Sequence, residues 1–180
     1  MRFWKPSKDD LRMRRILGID PGSRVTGFGI IESNGDRSMH ITSGCIRLQG
    51  DNFPLRLGEI YRRLAEVVAE YQPDEMAIEQ VFVSKNPSSA LKLGQARGAA
   101  ICACVVAGIE VFEYTPRMIK QAVVGSGAAA KDQVQHMVKQ LLRLDEKLAE
   151  DQSDALAVAL SHAHTNSTMR LLKQAKGWGR

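Results

Sequence analysis

The chain has 180 residues, 44% of them hydrophobic, enough for one globular domain that buries roughly two-thirds of its unfolded surface. Its longest near-continuous apolar stretch, residues 99–109, falls short of the roughly 20 residues a bilayer span needs. The first fifteen residues are basic without an apolar core, against a secretory leader, and three cysteines (Cys45, Cys102, Cys104) point to a reducing cytoplasm rather than a disulfide scaffold or zinc cluster.

Residues 15–20, Arg-Ile-Leu-Gly-Ile-Asp, read as a short buried strand ended by Pro21-Gly22. Residues 25–32 and 38–48 read as two more strands, and Asn34-Gly35 between them carries a hairpin signal. Leu57, Ile60, Leu64, Val67, Val68 and Tyr71 keep helical spacing up to Pro73-Asp74. A fourth strand follows over 76–79, then a long apolar helix over 88–107 closed by Gly108, equally readable as interface or core and with the run through Cys102 and Cys104 reading as buried, and a fifth strand over 111–114. Helices are expected over 116–124, 131–144 and 151–165. His136, His162 and His164 have helical neighbours and read as surface or partly buried groups. Residues 1–12 form an extension with no assigned function, 13–165 the domain, and 166–180 a basic, loose tail. A three-strand meander followed by alternating helix and strand makes this an α/β chain, with a mixed five-stranded sheet covered by helices on both faces.

The net charge of +5 is misleading, because residues 1–15 and 166–180 each carry +4 and residues 16–165 sum to −3. The basic character therefore does not by itself argue for nucleic acid. Position says more. Asp20 and Glu79 each end an apolar strand, where a charge is costly unless paired or bound to a metal. Asp151 and Asp154 open the last helix on one face. If these elements are neighbours, four carboxylates without His or Cys make a hard oxygen site suited to Mg²⁺ or Mn²⁺. Such a cluster supports two-metal phosphodiester hydrolysis. Each acid also has an ordinary reading: Asp20 as a turn residue, Asp151 and Asp154 as cap and first-turn acids, Glu79 in a salt bridge.

Several blocks carry a closer likeness: Ile16-Leu-Gly-Ile-Asp-Pro-Gly-Ser-Arg-Val-Thr-Gly27, Ala77-Ile-Glu-Gln-Val-Phe82, Ser89-Ala-Leu-Lys-Leu-Gly-Gln-Ala-Arg-Gly98 and Asp151-Gln-Ser-Asp-Ala-Leu-Ala157. Lys120-Gln-Ala-Val-Val-Gly125 and Lys131-Asp-Gln-Val-Gln135 belong with them. Together these resemble the signature blocks of the RuvC family, the bacterial Holliday-junction resolvases, in order over residues 15–164. The resemblance implies an RNase H-like fold and a homodimeric endonuclease that nicks two opposing strands of a four-way DNA junction. It implies Mg²⁺, two ions per subunit with Mn²⁺ able to substitute, and work beside the RuvA and RuvB branch-migration complex in recombination and repair. Matched by position, Asp20, Glu79, Asp151 and Asp154 are the catalytic, metal-binding acids, and Lys120 and Lys131 are basic residues at the site that face the phosphate. Phe82 matches an aromatic that stacks on unpaired bases. Lys85, Asn86, Lys92 and Arg97 follow it as candidate DNA contacts, with Lys92 and Arg97 equally readable as a solvated helix face.

Two rivals share the acids: a nuclease of the same fold acting on RNA precursors, and a junction-binding protein without chemistry. Asp20-Pro-Gly-Ser23 also resembles the phosphate loop of sugar kinases, but those proteins use two such halves, and this chain is long enough for one.

Overall fold

The computed structural model describes residues 12–81 and 86–177, with side chains as far as Asn166. Three strands come first, β1 (Arg14–Asp20), β2 (Val25–Ser33) and β3 (Ser38–Arg47), followed by helix α1 (Phe53–Tyr71) and β4 (Glu75–Glu79). Helix α2 (Pro87–Val105), β5 (Glu110–Tyr114), α3 (Pro116–Val124), α4 (Lys131–Leu142) and α5 (Glu150–Gly177) complete the order. The sheet order is β3-β2-β1-β4-β5. β1 is antiparallel to β2 and parallel to β4, and β4 is parallel to β5. This is the mixed five-stranded sheet the sequence predicts.

Alternation along the strands builds two cores. Ile16 and Ile31 face one layer with Val134, Val138, Leu156 and Leu160 of α4 and α5. Leu17, Ile19 and Ile30 face the other with Ile60, Leu64, Ala100 and Cys104 of α1 and α2. A sheet buried on both sides explains why β1 and β4 read as nearly unbroken apolar runs. Caps set several boundaries. The Asn52 side chain accepts from Leu55 N and starts α1 four residues before its first periodic apolar residue. Gln72 takes a left-handed conformation to end it.

Three expectations need correction. The run 99–109 is not buried throughout: α2 stops at Val105, and Val105 and Val106 are 55% and 74% exposed. Helix α5 does not stop near Thr165 but runs on to Gly177. His162 is not a surface group but fully buried. Its Nε2 lies 2.7 Å from Glu75 Oε2 and its Nδ1 2.7 Å from the Tyr114 hydroxyl, and Arg14 pairs with the other oxygen of Glu75. A buried imidazole is acceptable when both ring nitrogens are hydrogen-bonded, as here.

Candidate active site

The parallel register between β1 and β4 ends at Ile19↔Ile78. The next residue on each strand is Asp20 and Glu79, so the two carboxylates leave neighbouring strands, spaced about 4.8 Å apart, at their carboxyl ends. In open α/β sheets that end is where ligands bind. Apolar residues hold both strands rigid up to the acids, with Leu17, Ile19, Met76, Ala77 and Ile78 all inaccessible to solvent.

Helix α5 brings the second pair of acids, and two glycines determine how closely it comes. A Cβ on Gly27, the partner of Asp20 across the β1–β2 ladder, would lie 2.0 Å from the Asp151 carbonyl oxygen. A Cβ on Gly18 would lie 2.1 Å from the Ala155 carbonyl oxygen. With no side chain at either position, the first turns of α5 rest directly on β1 and β2. Gln152 secures the same turn, with Nε2 donating to Ser43 Oγ on β3 (2.8 Å) and Oε1 accepting from Ala149 N (3.1 Å). Asp151 and Asp154 are thereby carried to the end of the sheet that holds Asp20 and Glu79.

Lys131, the first residue of α4, reaches the cluster with Nζ 2.8 Å from Asp154 Oδ2 and also pairs with Glu150. A cleft of about 190 Å³ is lined by Glu79, Lys120, Lys131, Asp154 and their apolar neighbours. A second cleft, of about 230 Å³, has Asp20 and Glu79 among its lining residues, so Glu79 stands between the two. The four predicted acids and both predicted lysines are therefore gathered at one end of the molecule.

The electrostatics are those of crowded anions. Burial, then the charges of Asp154, Glu79 and Asp151, push the Asp20 carboxyl up to about 7, against a smaller lowering by Lys131. Burial and Asp154 also raise Glu79, offset by Lys131 and Lys120. Asp154 is raised by burial and drawn back by its bond to Lys131. Neutralising such a cluster calls for more positive charge than two lysines provide. Its all-oxygen, anionic donors fit a hard divalent cation. Among the described residues no three acidic, His or Cys side chains are drawn tightly enough to enclose a cation alone.

The expected DNA contacts divide. Phe82 and Lys85 lie outside the described residues. Lys92 is exposed on α2, as a phosphate contact requires. The Asn86 side chain caps α2, accepting from Ser88 N and Ser89 N. Arg97 is turned inward instead of toward solvent, with only 18% of its side chain exposed. Sequence reasoning missed the close-approach role of Gly18 and Gly27 and the pairing of Lys131 with Glu150. The one available signal for the pairing was that Glu150 immediately precedes Asp151.

The family model for crossover junction endodeoxyribonuclease RuvC matches residues 16–162. Relatives bearing that same description include one from Alkalilimnicola ehrlichii, 58% identical over 91% of this chain and 99% of its own. Another, from Vibrio cholerae, is 57% identical over 87% of this chain and 91% of its own. Among solved structures, Thermus thermophilus RuvC in complex with a Holliday junction substrate superimposes with a TM-score of 0.82 at 32% identity, over 87% of this chain and 96% of that one. With the sheet order, the acid cluster and this match all in agreement, the chain belongs to the RuvC family of crossover junction endodeoxyribonucleases.

Proposed function

We propose that this chain resolves Holliday junctions by symmetric, Mg²⁺-dependent nicking of two opposing strands, as a cytoplasmic homodimer working with RuvA and RuvB in recombination and repair. The observation that carries the reading is the convergence of Asp20, Glu79, Asp151 and Asp154 from β1, β4 and α5 beside Lys120 and Lys131. Those four carboxylates would hold two divalent ions, with Mn²⁺ able to replace Mg²⁺. When bound, the ions lower the pKa of the attacking water and stabilise the departing 3′ oxygen. The chain's own residues do the rest. Lys120 and Lys131 face the cleft beside Glu79 and Asp154, where a cation stabilises charge on the reacting phosphate. Lys131 is placed at that cleft by its pairing with Asp154 and Glu150. Phe82, Lys85 and Lys92 would bind the junction by base stacking and phosphate contacts. A second copy would pack on the exposed apolar side chains Leu91 and Val105 of α2 and Val106 at its C-cap.

The experiment is substitution at the acids. Asp20→Asn and Glu79→Gln are expected to lower junction cleavage at least about 100-fold while junction affinity stays close to that of the unchanged protein. Cleavage at the unchanged rate in either variant would contradict the assigned role.

A further inference from the structure

The inward turn of Arg97 has a chemical object. Its Nε donates to the backbone carbonyl of Glu79 at 3.1 Å. Its Nη2 lies 2.8 Å from Glu113 Oε2 on β5, an ion-pair contact off the hydrogen-bond axis. This contact lies where β1 stops supporting β4. On one side the β1–β4 ladder ends at Ile19↔Ile78, one residue before Glu79. On the other, β4 and β5 still pair at Glu79↔Tyr114, and Gln80 N donates to the Tyr114 carbonyl. Arg97 reaches in from α2 and joins the peptide following Glu79 to the residue preceding Tyr114 on β5. A planar guanidinium spans a carbonyl and a carboxylate together, which the compact ammonium of lysine does not.

We infer that Arg97 is a positioning residue, which fixes the end of β4 and so keeps the Glu79 carboxylate beside Asp20 and Asp154, where it can serve divalent-cation binding. This rests on the proposed metal-dependent nuclease reading and assigns Arg97 to the metal side of the site instead of to the DNA. Partners that orient a metal ligand typically contribute about 10–100-fold to metal affinity or activity, and small misplacements of reacting groups have effects of similar size. Without Arg97, the Glu79 carbonyl loses its donor and the strand end can shift.

The test uses the full chain with Arg97→Ala, Arg97→Lys and Glu113→Gln. Three readouts are compared: Mn²⁺ affinity by calorimetry without DNA, junction affinity across a salt series, and single-turnover cleavage at saturating protein. Expected for both Arg97 variants are Mn²⁺ binding weakened about tenfold and cleavage slowed about 10–100-fold, with junction affinity within about twofold and an unchanged salt slope. Glu113→Gln, which leaves the carbonyl bond in place, should fall between them and the unchanged protein. The opposite pattern would overturn the inference: normal Mn²⁺ affinity, weaker junction binding with a shallower salt slope, and rescue by lysine, the signature of a phosphate contact. If Arg97→Ala does not fold, as thermal melting would show, Arg97→Lys and Glu113→Gln still decide. If the unchanged protein binds Mn²⁺ but nicks no junction, the functional reading fails while the Mn²⁺ comparison still judges Arg97.

Discussion

Asp20 shows in a single residue the conflict between stability and function at this site. Its carboxyl is raised from 3.8 to about 7, chiefly by burial and then by three neighbouring acids. The folded chain therefore keeps a proton that the unfolded chain releases between those two values. In the absence of metal, that contribution to stability is complete below about pH 4 and is lost as the pH rises through about 7. Asp20→Asn, which cannot ionise, should stabilise the chelated protein at pH 8 by on the order of 2–4 kcal/mol and make little difference at pH 4. Thermal melts of both proteins in EDTA across this range check it, and an equal effect at the two pH values would remove the charge argument. The same sign makes divalent-cation affinity rise with pH up to about 7, since the proton on Asp20 must leave. Asp20 and Glu79 were visible in the sequence because a charge ending an apolar strand is costly unless paired or bound to a metal, and Asp151 and Asp154 because their spacing puts both on one helix face. Arg97 was not: apolar residues lie all around α2, so its sequence shows no inner or outer face. The partner that turns it inward, Glu113, is sixteen residues away on a different element.

At the level of elements, order and type were legible, because period-two and period-3.6 patterns dominate where burial is one-sided. Lengths were less so. Val105 and Val106 look like core but stand exposed at the last residue of α2 and its C-cap. His162 looked like a surface or partly buried group because its partners, Glu75 and Tyr114, come from strands far away in the chain. The seating of α5 on the sheet was also hidden, since a glycine in a strand does not announce what approaches it. That seating yields a sharp expectation. Gly27→Ala places a methyl group 2.0 Å from the Asp151 carbonyl oxygen, backbone that cannot yield as a flexible side-chain tip would. The variant should lose about 1–3 kcal/mol of stability and most of its cleavage at temperatures where it remains folded. Chemical denaturation and single-turnover cleavage measured together check this, and wild-type values for both would show that α5 is not seated through Gly27.

For the molecule as a whole, the charge pattern and the sheet agree on one working end. Residues 16–165 carry a net charge of −3, yet Lys120 and Lys131 stand beside the acids at the carboxyl ends of β1 and β4. Phosphates bound beside these lysines release counterions, so junction affinity should fall steeply with salt. The central claim is junction-selective, metal-dependent cleavage, and one measurement reaches it directly. A four-way junction and a linear duplex of the same sequence, each strand labelled in turn, are incubated with the protein in Mg²⁺ or EDTA. Paired nicks in opposing strands, on the junction alone and in Mg²⁺ alone, are the predicted result. Equal cutting of both substrates, or binding of the junction without nicks, would contradict it.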